Sequence, residues 1–121
     1  MRVKKIRIGI KDLKTALDDF VRTGEAVERG EKVKKETGVY FTTFEAFRKV
    51  MTPKRLELLH IIKTKKPSSL NELARMAKRD VKNVVDDVRY LEQVGLIEKK
   101  EDRKKIIPIV KFDKIALEIA V

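Results

Sequence analysis

The chain of 121 residues contains no cysteine and no tryptophan, and it has a single histidine. Without cysteine it can form neither a disulfide nor a thiolate-ligated metal site. A lone histidine is also a poor basis for a zinc site, which takes roughly four protein ligands when it is structural. We therefore expect the protein to need no metal and no cofactor.

The sequence motifs of the common enzyme classes are missing as well. There is no phosphate-binding loop, no dinucleotide fingerprint and no serine nucleophile elbow. Adjacent acids occur at Asp18-Asp19 and Asp86-Asp87, but neighbours on a helix point about 100° apart. Such acids make a poor catalytic pair, so we expect the protein not to be an enzyme.

Apolar runs are short, whereas positive charge is abundant. No run approaches the roughly 20 apolar residues that a membrane-spanning helix needs, and the start lacks a signal-peptide pattern. We therefore expect a cytoplasmic protein. Lysine and arginine exceed aspartate and glutamate by 30 to 19, which favours a nucleic-acid partner over a membrane. The abundance of Lys and Glu, with a single glutamine, suits a thermophile's cytoplasm.

Residues 1–50 are predicted to form a strand–helix–strand–helix extension. Alternation at Ile6, Ile8 and Ile10 indicates the first strand. Asp12 can cap the following helix, whose pattern ends at Gly24. That helix has one apolar stripe, formed by Leu13, Ala16, Leu17, Phe20 and Val21.

The second half of this extension is predicted from a charged segment and a capping pattern. Residues 25–38 are mostly charged and indicate a solvated linker, with some helix not excluded. Residues 39–41 then form a short strand. Thr42 and Glu45 have the spacing of a capping box that begins the second helix. We expect residues 1–50 to serve dimerisation.

Residues 51–112 are predicted to form three helices and a hairpin. The first helix begins at Thr52-Pro53, a cap followed by a proline at the first helical position. Ser69 with Glu72 forms a capping box for the short second helix, and Asp80 caps the third, which Gly95 ends. Leu96-Ile97 and residues 106–110 pair around a basic tip. Residues 113–121 form a last strand that can pair with the first, so the fold class is α+β.

At this point the chain resembles a known class of protein. The order helix–turn–helix–hairpin and the Leu91-Glu92-Gln93-Val94-Gly95-Leu96-Ile97 ending look like the winged helix-turn-helix of prokaryotic regulators, including the MarR and ArsR classes. Residues 52–59, 79–84 and 91–97 resemble predicted archaeal transcriptional regulators most. The resemblance covers about half of the chain.

The resemblance implies a recognition helix in the DNA major groove, a wing on the flanking backbone, and a homodimer. It would direct Lys82, Asn83 and Asp86 toward base edges and place Arg79 at the helix entrance. The sequence departs from the family at two points. Asp86 stands where such regulators often have a basic or polar residue, and Arg103 stands where the wing tip often has glycine.

The residue types on the third helix are compatible with base contacts. Asparagine can bond adenine bidentately, and lysine can reach guanine acceptors or phosphate. An ordinary polar face is the alternative for Lys82 and Asn83. Asp86 can accept from cytosine N4, but we favour an intrahelical pair with Lys82 or Arg89. Asp87 is expected to be solvated.

The remaining candidate DNA contacts are basic. Those near the hairpin suit phosphate or minor-groove contact, although a charged edge that prevents sheet aggregation would look the same. Arg89 on the third helix is also a predicted DNA contact. The predicted set in the turn and the wing is Lys78, Arg79, Lys100, Arg103, Lys104 and Lys105.

These patterns favour a sequence-specific DNA-binding transcriptional regulator that acts as a homodimer on a palindromic site of double-stranded DNA. A protein-interaction adaptor or antitoxin on the same fold is the first alternative. A sequence-neutral DNA-packaging protein is the second. No effector ligand can be inferred from the sequence.

Overall fold

The fold is α+β, as predicted: a winged helix-turn-helix core follows a strand–helix–strand–helix extension. The computed structural model describes residues 4–30 and 38–121. Its elements, in chain order, are β1 (Lys5–Ile10), α1 (Leu13–Glu28), β2 (Gly38–Phe41), α2 (Phe44–Val50), α3 (Pro53–Lys65), α4 (Leu70–Ala77), α5 (Val81–Gln93), β3 (Glu98–Asp102), β4 (Lys105–Ile109) and β5 (Lys114–Ile119).

The two ends of the chain meet in one parallel sheet, in the order β2-β1-β5. The predicted pairing of the last strand with the first is confirmed, with Ile8 beside Leu117 and Ile10 beside Ile119. Parallel neighbours need long crossovers. Here α1 connects β1 to β2, and the whole winged helix-turn-helix lies between β2 and β5.

The sheet and the helices share one hydrophobic core. Ile8 on β1 is fully buried, and it belongs to the same cluster as Leu58 of α3, Leu73 of α4 and Leu91 of α5. The alternation predicted for β1 is confirmed: Ile6, Ile8 and Ile10 are buried, Ile6 and Ile8 in this cluster, while Lys5 and Arg7 stay exposed. The extension is therefore packed onto the winged helix.

The predicted caps of the three core helices are confirmed. Thr52 accepts a hydrogen bond from the Arg55 N–H at 3.2 Å, and Ser69 accepts from the Glu72 N–H at 3.1 Å. Asp80 Oδ1 accepts from the Lys82 N–H at 2.9 Å. These bonds satisfy backbone donors that the first turn of a helix leaves unpaired.

Two capping predictions need correction. Thr43, not Thr42, caps α2, and its hydroxyl accepts from the Ala46 N–H at 3.1 Å. The carboxylate of Glu72 also does not return to its own cap residue. It bonds the N–H and hydroxyl of Ser68 instead, at 3.3 and 3.0 Å. In both cases the neighbouring residue offers the same chemistry, so spacing alone does not choose between them.

Helix α1 continues through Gly24 and ends at Glu28, so the predicted end is wrong. One mid-helix glycine costs about 1 kcal/mol relative to alanine, and the good helix formers Glu25 and Ala26 follow it. Asp12 caps the helix as predicted, accepting from the Thr15 N–H at 2.7 Å. The rest of the predicted linker, residues 31–37, lies outside the described residues.

Polar contacts attach α1 to the outer face of the sheet. Lys11 at the end of β1 pairs with Asp19 of α1, and this hydrogen bond raises the pKa of Lys11 and lowers that of Asp19. The Lys11 ammonium also lies 4.3 Å from the centroid of the Tyr40 ring. That ring covers Gly9, where an added Cβ would come within 2.7 Å of it.

The wing begins later than predicted. Strand β3 starts at Glu98, whereas Leu96 and Ile97 are buried in the core. Gly95 has a φ of 88°, and the Leu96 N–H donates back to the Leu91 carbonyl at 2.9 Å. This helix-end geometry turns the chain inward before the hairpin starts.

No helix in residues 4–30 and 38–121 is long and apolar enough to cross a membrane.

Replacing Ile8 with alanine should destabilise the whole protein, because its side chain joins the sheet to the helices. We expect a loss of about 2–5 kcal/mol in the free energy of unfolding, as for other buried isoleucines. Ile119→Ala is the matched control, since Ile119 lies in the same sheet but is 51% exposed. Urea denaturation followed by circular dichroism measures both, and equal losses would contradict the shared core.

Candidate nucleic-acid interface

Helix α5 presents a polar face to solvent, opposite the side that it buries. Val84, Val88 and Leu91 point into the core. The predicted base-contacting residues and Arg89 lie on the other side and are exposed: Lys82, Asn83, Asp86 and Arg89. The structure thus brings these candidates onto one face, whereas their contact with bases stays a prediction.

Asp86 does not form the intrahelical ion pair that the sequence favoured. No lysine or arginine nitrogen among the described residues lies within 4.0 Å of its carboxylate, including those of Lys82 and Arg89. An exposed pair gains little Coulomb energy and loses side-chain entropy, so such pairs form weakly. Asp86 therefore presents an acceptor at the centre of the outward face.

The prediction that Asp87 is solvated is wrong, since its side chain is mostly covered and contacts two arginines. Its Oδ1 lies 3.1 Å from Arg55 Nε of α3, and its Oδ2 lies 2.8 Å from Arg79 Nη2. The carboxylate side chain is only 16% exposed and each arginine 19%. Asp87 comes directly before the buried Val88, at the margin of the apolar stripe, and there it meets α3 instead of water.

Arg55 extends this cluster to the end of α2. Its Nη1 donates to the carbonyl oxygens of Lys49 and Val50, at 2.9 and 3.0 Å. Its guanidinium carbon lies 4.5 Å from the centroid of the Tyr90 ring on α5. The Arg55 side chain of α3 therefore contacts both α2 and α5, through hydrogen bonds and a cation–π contact. Sequence reasoning assigned it no role.

Arg79 and Lys78 sit in the turn between α4 and α5 but point in different directions. Lys78 is exposed and ends α4 with a φ of 55°. The Arg79 guanidinium turns inward to Asp87, and its Nη1 is buried without a hydrogen-bond partner in the described part of the chain. Arg79 is thus better placed to hold α5 than to contact DNA, whereas Lys78 is free to face it.

The wing tip carries two basic residues in a strained conformation. Strands β3 and β4 pair up to Asp102 and Lys105, which leaves Arg103 and Lys104 as the two-residue turn. Their φ angles are 48° and 66°, a region that costs an L-residue roughly 1–2 kcal/mol. Asn-Gly would fit this turn without strain. All four predicted wing contacts are exposed: Lys100, Arg103, Lys104 and Lys105.

A cleft of about 650 Å³ separates α4 and α5 from the wing. Asn71 and Arg75 of α4 line one side, and Lys104 and Lys105 line the other. Asn71 and Arg75 were not predicted as site residues. They lie four apart and are both exposed, so the helical spacing of two polar residues on a short amphipathic helix could have found them.

No group of three or more histidine, cysteine, aspartate or glutamate side chains is arranged to hold an ion in residues 4–30 and 38–121. The cleft lining includes the basic residues Arg75, Lys104 and Lys105 and the amide of Asn71, and such groups bind phosphates and base edges.

Comparison with known proteins supports the fold. A family model described as HVO_A0114 matches residues 50–117, more than half of the chain. A structure described as the predicted DNA-binding transcriptional regulator from E. coli is similar with a TM-score of 0.50 and 20% identity. The similarity covers 77% of this chain and 84% of that one. No curated protein matches the chain.

Removing the Asp87 carboxylate should release α5 from α3. Asp87→Ala leaves two partly buried guanidinium groups without their acceptor, and we expect it to lower the free energy of unfolding by roughly 2–3 kcal/mol. Asp86→Ala, one position away and exposed, should change it by less than about 0.5 kcal/mol. Chemical denaturation of both variants is the measurement, and similar values would refute a bracing role for Asp87.

Proposed function

The chain belongs to the HVO_A0114 family, and we propose that it is a DNA-binding transcriptional regulator of the winged helix-turn-helix type. The observation that carries this proposal is the wing tip, where arginine and lysine occupy left-handed backbone positions. Residues held in strained backbone conformations cluster at functional sites. The similar E. coli structure, a predicted DNA-binding transcriptional regulator, supports the same class.

In the proposed complex α5 enters the major groove and the wing lies on the flanking backbone. Lys82 and Asn83 contact base edges, and Lys78 and Arg89 contact the phosphates beside them. The cleft between α4 and the wing is also lined by Val81 and Val85 of α5, and a sugar–phosphate strand passes there between Arg75 and the basic wing.

In the proposed complex Asp86 makes the affinity depend on the DNA sequence. Because it has no ion pair among the described residues, its carboxylate can accept a hydrogen bond from cytosine N4. It also repels phosphates, which weakens binding to unrelated DNA. A negative charge on the recognition face therefore favours specific binding over sequence-neutral packaging.

We also propose that the regulator is a homodimer on a palindromic site. Two copies related by a two-fold axis would place their α5 helices about 34 Å apart, one turn of B-DNA. The same surface could instead contact an acidic protein, as in an adaptor or an antitoxin. Salt-dependent binding separates these functions, because only a specific regulator keeps selecting particular fragments at raised salt.

Lys82→Ala and Asn83→Ala should each cost about 1–3 kcal/mol on the preferred sequence. The preferred sequence is recovered by sequencing the DNA that the protein retains from a sheared genomic library. Fluorescence anisotropy on that fragment and on a scrambled one then measures each variant. Lys5→Ala, a lysine exposed on the sheet, is the control and should change neither affinity.

If the losses at Lys82 and Asn83 are the same on both fragments, these residues contact phosphates and not bases. If no fragment is enriched and neither binds, the DNA-binding proposal is wrong.

Replacing the wing tip by Asn-Gly should separate stability from function. The double change Arg103→Asn and Lys104→Gly relieves two strained positions, so we expect it to raise the free energy of unfolding by about 1 kcal/mol. It also removes two phosphate contacts, which should reduce the slope of log affinity against log salt by about 2. Chemical denaturation tests the expected gain in stability, and fluorescence anisotropy at a series of salt concentrations tests the expected change of slope. An unchanged slope would mean that the wing is not docked on DNA.

A further inference from the structure

The apolar stripe of α1 is turned away from the protein body. Four large side chains on it, Leu13, Leu17, Phe20 and Val21, are exposed, and Phe20 is 78% exposed. Half-buried Thr15, Asp19 and Ala26 lie on the opposite side, and half-buried Ala16 lies at the margin of the stripe. Exposed apolar stripes of this kind usually mark a contact surface.

Gly24 lies on the same stripe, at helical spacings of three, four and seven from Val21, Phe20 and Leu17. An added Cβ there would meet nothing within 4 Å, and its φ is not in the left-handed region. Neither the fold nor a turn therefore requires glycine at this position. A glycine on an otherwise apolar stripe allows the side chain of a second helix to approach closely.

We infer that α1 pairs antiparallel with α1 of a second copy of this chain. The two-fold axis crosses the interface at the level midway between residues 18 and 19 along the helix. This inference refines the homodimer of the proposed function, but neither its argument nor its test uses DNA.

The register follows from size complementarity. In an isologous pair each residue faces the one at the mirrored distance from the axis. Around this axis Leu13 faces Gly24 of the second copy, and Leu17 faces Phe20. At each end of the interface the Leu13 side chain thus packs over Gly24, which has no side chain. Leu17 and Phe20 pack against each other at the centre.

Charge complementarity supports the same register. Lys14 and Glu25 lie on one flank of the stripe, and a two-fold axis brings like flanks together. Lys14 of one copy is then about 3 Å along the helix axis from Glu25 of the other, at 1.5 Å rise per residue. The contact occurs twice by symmetry.

Disulfide trapping tests the register directly, because the natural chain has no cysteine. Full-length Leu13→Cys and Gly24→Cys proteins are prepared separately, mixed, and mildly oxidised. We expect a covalent dimer in the mixture on a non-reducing gel. Each variant alone should give much less, since identical positions lie about 16 Å apart along the helices, beyond the roughly 7 Å Cα separation that a disulfide allows.

Strong cross-linking of Leu13→Cys alone would overturn the antiparallel register, and no cross-link in any sample would overturn the pairing. Circular dichroism establishes that each variant is folded before it is scored.

Charge exchange gives a second test that does not depend on cysteine. Lys14→Glu and Glu25→Lys should each weaken self-association about tenfold or more in sedimentation equilibrium without DNA, because two attractive contacts become repulsive. The double variant should recover the natural association constant. Failure of this rescue, or a natural protein that stays monomeric, would reject the proposed helix pair. DNA binding by a monomer would leave the proposed function standing.

Discussion

The carboxylate of Asp87 sets the position of α5, and the proposed DNA face depends on it. Withdrawing most of one carboxylate from water between Arg55 and Arg79 is favourable only because both guanidinium groups donate to it at short range. Arg55 in turn is held by two backbone carbonyls at the end of α2. The orientation of α5 is therefore fixed by charge-assisted hydrogen bonds in addition to the valines beneath it.

This arrangement divides the charges of the helix-turn-helix between two tasks. Arg55, Arg79 and Asp87 are used inside the fold, whereas Lys82, Asp86 and Arg89 remain outside. Adjacent acids thus have opposite environments, because neighbouring helix positions differ by about 100° in direction. Rigid support below a polar outer face is what precise contact with a partner requires.

Local signals in the sequence predicted most of the fold. The caps at Thr52, Ser69 and Asp80 depend on residues within three positions of each other, and the buried stripes depend on helical periodicity, so both can be read from a short window. The role of Asp87 cannot be read from a short window, because its partner Arg55 is 32 positions away in the sequence. A short window also cannot decide whether Thr42 or Thr43 caps α2, since both residues carry the same hydroxyl group.

The apolar stripe of α1 shows a second limit of sequence reasoning, and it connects dimerisation to the spacing of the DNA contacts. Periodicity locates a stripe but does not say whether the same chain covers it. Here the sheet is attached to the polar side of α1 through Lys11 and Asp19, which leaves the stripe outward. The same sheet shares its core with α5 through Ile8. A dimer built on α1 would therefore fix the separation of the two α5 helices through packed structure, and a shift of the helix pair would change which half-site spacing is bound.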